Sequence, residues 1–242
     1  MFDRIVALIG EDSLNKIKEK HILVIGVGGV GGYAIEALIR SGIHNITLVD
    51  YDNIDISNIN RQIIAKESNV GKLKVEAWKE RINEINSSVL VNTLPLKIDE
   101  NNIDILFKSS YDYIIDACDT VIVKKLLIKK CHEKNIKLIT VCGMGKKLNP
   151  SLVKICDIKD TSYDPLAKSI RKYVKDEKIR GKVLNTFTSY FLYYSCSKII
   201  FLAFKIEVAL IENSSSPYST SVGIAASSPA ISPHIPTHLP CL

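Results

Sequence analysis

No two of the six cysteines, at 118, 131, 142, 156, 196 and 241, stand in a C-x-x-C pair. A structural zinc site built on paired thiolates is therefore not expected, and their scatter suits reduced, buried thiols in a cytoplasmic protein. Met1-Phe2-Asp3-Arg4 carries no apolar signal core. No uninterrupted membrane span is present either: the longest apolar stretch, Val183 to Ile211, is broken by Lys198, Lys205 and Glu207. Charge of either sign is absent from Asn213 to Leu242, which holds five of the eight prolines and eight serines. Poor order is expected of 213–242.

The rest of the chain reads differently. Of 242 residues, 46% are hydrophobic and 24% charged, enough for one sizeable core. The net charge of +6 permits an anionic partner and equally fits a mildly basic surface. Residues 1–20 read as a helical lead-in. His21 to Gly26 is a continuous apolar run, as a buried parallel strand should be. A glycine-rich turn over Gly28–Gly32 leads into a helix over Tyr33–Ser41 that stops at Gly42. Asn45 to Asp50 is a second strand. Tyr51 to Gly71 is a long polar segment of little periodicity, a length that in compact domains usually marks function. Helix over Lys72–Asn86, strand over Val89–Thr93, a linker with a helix, strand over Tyr113–Asp116, helix over Thr120–Asn135 and strand over Lys137–Val141 follow. This alternation predicts an α/β fold: a Rossmann-type, mostly parallel sheet with helices on both faces. Beyond Pro150, a strand over Leu152–Asp157 and a helix over Pro165–Glu177 are expected.

Gly26-Val27-Gly28-Gly29-Val30-Gly31 fits G-x-G-x-x-G between a strand and a helix. The first glycine permits the tight turn, Gly28 lets backbone approach phosphate, and Gly31 brings helix close to strand. The helix N-terminus adds free N–H groups and a positive dipole end. Asp50, at the end of the next strand, suits ribose hydroxyls. Up to this point NAD and ATP are served equally.

The segment from Asp50 to Gln62 favours ATP. Asn58 can donate to phosphate oxygens, Arg61 offers a planar fork of donors, and Lys74 adds a positive charge. Asp116 and Asp119 lie at the end of the fourth strand, where open α/β sheets bind ligands. A carboxylate there can hold Mg²⁺ together with substrate phosphates; it can also cap the helix that begins near Thr120. Asp119 is assigned to the metal and Asp116 to the cap.

The stretches G-V-G-G-V-G, L-V-D-Y-D, S-N-I-N-R-Q, G-K-L-K and I-D-A-C-D resemble the E1-like (ThiF/MoeB/HesA) adenylating enzymes over roughly residues 10–160. The resemblance implies an ATP-binding adenylation domain over 1–182, followed by an atypical segment, 183–242. It implies that Gly28, Gly29, Gly31, Asp50, Asp52, Asn58, Arg61, Gln62 and Lys74 bind the nucleotide. Arg61, Lys74 and Asp119 would carry the chemistry with ATP and Mg²⁺ as cofactors. It further implies a homodimer in which Arg61 reaches the triphosphate of the other subunit.

Arg4–Gly10, Tyr163–Ala167 and Arg171 resemble a narrower branch, the tRNA threonylcarbamoyladenosine dehydratases. The substrate would then be tRNA, with a sulfur-relay partner of the cysteine desulfurase kind and no membrane partner. In that branch adenylation turns a carboxylate, a poor electrophile, into one that loses AMP on ring closure. Phosphate positioning then matters more than a base of special pKa, and Cys142 and Cys156 default to buried thiols. Seven basic residues between Lys168 and Lys182, against Asp176 and Glu177, suit a polyanion or simply a solvated face. Activation of a ubiquitin-like sulfur carrier stays open as an alternative, as does a nucleotide-binding module without turnover.

Overall fold

The structure is a computed structural model and describes residues 1–143, 153–162 and 164–188. Seven strands form one sheet in the order β3-β2-β1-β4-β5-β7-β6. They are β1 (His21–Ile25), β2 (Asn45–Val49), β3 (Leu90–Leu94), β4 (Tyr113–Asp116), β5 (Lys137–Val141), β6 (Val153–Asp157) and β7 (Leu184–Thr188). All neighbouring pairs are parallel except β6 with β7, which is antiparallel. The helices are α1 (Asp3–Ile9), α2 (Glu11–Lys18), α3 (Gly31–Arg40), α4 (Lys74–Ile85), α5 (Val121–Glu133) and α6 (Pro165–Asp176).

The α/β expectation holds, and the pleat of β1 shows why. Ile22 and Val24 face a core shared with Ile35, Leu38 and Ile39 of α3 and Trp78 and Ile82 of α4. Leu23 and Ile25 face the other core, with Ile103, Leu106 and Leu127. A strand buried on both faces is a continuous apolar run. A third cluster joins Ile128 of α5 to Ala167, Ile170 and Val174 of α6.

Several boundaries shift. The lead-in is two helices, broken at Gly10, whose φ is +80°. The helix after the glycine turn starts at Gly31, inside the motif, rather than at Tyr33. The helix expected between β3 and β4 is a 3-10 stretch, Ile103–Lys108. The long 51–71 segment is two 3-10 turns pinned by Ile54 and Ile64, both buried. The strand over Leu184–Thr188 was not expected. Its sequence, LNTFT, is polar and unpatterned, yet it inserts between β5 and β6. The expected poor order of 213–242 lies outside the described residues. Among the described residues no helix is long and apolar enough to cross a membrane.

Candidate active site

The strand order reverses beside β1, between β2 and β4. At that point, beyond the carboxyl ends of these strands, a ligand crevice is expected. A cavity of about 300 Å³ lies there, bounded by Gly26 and Gly28 from the turn after β1, Val49 and Asp50 at the end of β2, and Ala117 after β4.

The glycine turn is sterically enforced. Gly26 has φ +82°, and a Cβ on it would sit 2.8 Å from the Ala117 backbone. A Cβ on Gly31 would lie 1.8 Å from the Gly26 carbonyl oxygen, so only glycine lets α3 start this close to β1. The turn is held from two sides. The indole Nε1 of Trp78 donates to the Val27 carbonyl (3.0 Å), and the Val27 N–H donates to Asp50 Oδ2 (2.9 Å). The other Asp50 oxygen accepts from the Asp52 N–H at 2.9 Å. No side chain caps the N-terminus of α3; the Gly32 N–H donates to the Gly28 carbonyl at 2.9 Å, and the Gly31 and Tyr33 N–H groups are left for an anion.

The polar segment supplies the donors. Asn58, largely buried, accepts from the Asp55 N–H through Oδ1 at 3.2 Å. That bond fixes the amide orientation and leaves its NH₂ for the cavity it lines. Lys74 is 5% exposed, and its Nζ donates to Asp52 Oδ2 at 2.7 Å. Arg61 is exposed at the rim, with Nη1 donating to the Ser57 carbonyl at 2.7 Å. Gln62 lies against Gly28, and its Oε1 is buried with no partner.

Asp119 is exposed and lines the cavity, where it accepts from Thr120 Oγ1 at 3.3 Å. Neither aspartate caps α5, whose N-cap is Thr120. The capping role assigned to Asp116 is thereby corrected. Its carboxylate is fully buried and ion-paired with Lys124 at 3.0 Å, because β4 points it into the core beneath α5.

The cavity thus gathers Gly28, Asp50, Asp52, Asn58, Arg61, Gln62, Lys74 and Asp119. Gly29 and Gly31 stand outside its lining: Gly29 faces Arg61 and Gly31 serves packing. Sequence reading missed the wall made by Tyr51, Leu96, Lys97, Ile98 and Val123. The exit of β3 carries no motif, so nothing marked it. Lys124 did carry a signal, since it shares the apolar stripe of Val123, Leu127, Ile128 and Cys131 on α5.

The thiols nearby are held as thiols. Burial, with help from the Asp116 carboxylate, pushes Cys118 well above its ordinary value. Burial and the Asp164 charge push Cys142 up to about 12, and burial raises Cys156. None is poised as a nucleophile.

The donor set fits a nucleoside triphosphate. It offers backbone and side-chain donors for phosphates, a strand-end carboxylate for ribose, and an apolar wall for a base. Comparison with known proteins points the same way. The ThiF family model matches residues 2–227. The tRNA threonylcarbamoyladenosine dehydratase of Bacillus subtilis is 41% identical over 182 residues, 75% of this chain and 72% of the relative. Its counterpart in Haemophilus influenzae is 40% identical over 176 residues, 73% of this chain and 67% of the relative. The crystal structure of Escherichia coli tRNA N6-threonylcarbamoyladenosine dehydratase in complex with ATP superposes with a TM-score of 0.79 at 33% identity, covering 88% of this chain and 96% of that one.

Proposed function

Because this chain belongs to the ThiF family, we propose that it uses ATP to adenylate the carboxylate of the threonylcarbamoyl group on adenosine 37 of tRNA, leading to the cyclic form. The observation that carries this reading is the convergence of Asp50, Asn58, Lys74 and Asp119 on one cavity beside the glycine turn, with Arg61 exposed at its rim.

The cavity is polarised. Val49, Leu96, Ile98 and Val123 form an apolar wall for the base, and Asp50 meets the ribose hydroxyls. The open N-terminus of α3, with Asn58 and Lys74, meets the phosphates. Lys74 spends one of its three protons on Asp52, which aims the ammonium and leaves two donors. Asp119 would hold Mg²⁺ together with phosphate oxygens, a ligand set this ion accepts. Held there, the ion would supply charge neutralisation for the phosphates.

The chemistry then needs placement rather than a special base. A substrate carboxylate oxygen attacks the α-phosphorus, the bond to the β-phosphate breaks, and pyrophosphate leaves. A nucleophile of the substrate itself next attacks the activated carbonyl carbon, and AMP departs with the carboxylate oxygen. No enzyme thiolate takes part, in keeping with the raised Cys118 and Cys142 thiols.

Three further parts belong to this proposal. The active unit is a homodimer in the cytoplasm, in which Arg61 crosses to the partner's triphosphate. Its exposed position at the rim supports this. The tRNA lies along α6, where Lys168, Lys172 and Lys175 form an exposed stripe opposite the buried Ala167, Ile170 and Val174. Arg171 has a different task, since it is bound to the Thr161 carbonyl at 2.8 Å. A cysteine desulfurase-type relay is the proposed protein partner.

Pyrophosphate exchange with labelled ATP tests the function. Exchange that depends on threonylcarbamoylated tRNA is expected. Exchange that depends instead on a carrier protein ending in Gly-Gly would assign the chain to sulfur-carrier activation.

A further inference from the structure

Lys124 and Asp116 are both fully buried, with Nζ 3.0 Å from Oδ1. The same ammonium lies 3.5 Å from the Asp116 carbonyl oxygen and 3.5 Å from Thr140 Oγ1. Thr140 Oγ1 donates to Asp116 Oδ2 at 2.5 Å. Cys118 donates to Oδ1 through its N–H at 3.3 Å and its thiol at 3.0 Å. Every oxygen of Asp116 is therefore engaged, and the side chain does not reach the cavity.

Burying two ions costs several kcal/mol each before their attraction is counted, and apolar pairs of similar volume often serve stability as well. Stability alone gives no reason for this pair. Its position does. Asp116 ends β4, Lys124 sits in the first turn of α5, and Thr140 belongs to β5. The pair clamps both ends of the loop Ala117–Thr120, all four residues of which line the cavity.

We propose that Asp116, Lys124 and Thr140 form a positioning network that holds the β4–α5 loop so that the Asp119 carboxylate faces the phosphate end of the cavity. Lys124 also cancels a carboxylate that would otherwise lie unpaired beneath a triphosphate. The inference rests on the reading of Asp119 as the residue that holds Mg²⁺ with the phosphates.

The test uses the full chain and ATP. Lys124→Met alone leaves Asp116 buried and uncompensated and can fail to fold. The paired variant Asp116→Asn/Lys124→Met removes both charges and keeps an acceptor for Cys118. In it, ATP affinity without metal and the thermal midpoint should stay near those of the parent. The gain in ATP affinity on adding Mg²⁺ should fall by about ten-fold or more, the range seen when the partners of metal-binding carboxylates are removed. Asp119→Asn should lose the same gain, and combining it with the paired variant should add little. A paired variant with the parent's Mg²⁺ response overturns the inference alone, as does an equal drop in metal-free affinity. An Asp119→Asn variant with the parent's response overturns the reading of Asp119, and the inference with it.

Discussion

Arg61 Nη1 donates to the Ser57 carbonyl at 2.7 Å and to Asn60 Oδ1 at 3.1 Å, which leaves Nε and Nη2 at an exposed rim. In the proposed reading the nucleotide is held within its own subunit by the glycine turn, Asp50, Asn58 and Lys74. Arg61→Ala should therefore keep ATP affinity within a few-fold and lower turnover by about 10²-fold or more, as loss of one transition-state donor does. Equilibrium binding beside single-turnover AMP formation measures both. At this scale the sequence was readable where chemistry and chain order coincide. The N-x-N-R-Q block lies on one short segment, and its Asn58, Arg61 and Gln62 all reach the cavity. Leu96 and Ile98 were not readable, because an apolar residue leaving an edge strand looks the same whether it faces solvent or a base. Asp116 was misassigned for a similar reason. Spacing placed it near a helix start, but the pleat of β4, not the spacing, decides which way it points.

Among the elements, α3 and α4 are tied by Glu36, which accepts from Arg81 through both carboxylate oxygens at 2.7 and 3.0 Å and also pairs with Arg40. Burial opposes the charged form, but the two guanidiniums outweigh it and hold the carboxyl below its ordinary value of 4.5. A carboxyl depressed on folding contributes stability above its unfolded pKa and loses it as pH falls through the folded one. Stability to urea should thus decline below about pH 4.5. Glu36→Gln should flatten that decline and lower stability at neutral pH by about 1–2 kcal/mol. The lysine stripe of α6 makes a separate prediction. Lys168→Glu/Lys172→Glu/Lys175→Glu should leave ATP affinity intact and weaken tRNA binding by about ten-fold or more. The log–log salt slope should become shallower by roughly one for each phosphate that is no longer neutralised. Filter binding across a salt series checks it. Helix α6 and strand β6 were legible within a residue or so, since Asp164 caps a run with 3.6 periodicity. Strand β7 was not, because LNTFT owes its place to neighbours far along the chain rather than to its own pattern.

The whole molecule combines a sheet whose order reverses beside β1, a glycine turn that only glycine can form, and a polar segment folded over the resulting crevice. If Arg61 serves the partner's triphosphate, two inactive variants should complement each other. Mixing Arg61→Ala with Asp119→Asn after dissociation should restore about a quarter of parental activity, since half of the dimers are mixed and each has one intact site. No recovery would place Arg61 in its own subunit's site. The central claim is that AMP is attached to the substrate carboxylate. Threonylcarbamoylated tRNA labelled with ¹⁸O in that carboxylate tests it most directly. The account predicts one labelled oxygen in the phosphate of the released AMP, with pyrophosphate unlabelled. Label in inorganic phosphate with ADP as the nucleotide product, or unlabelled AMP beside cyclised tRNA, would contradict it.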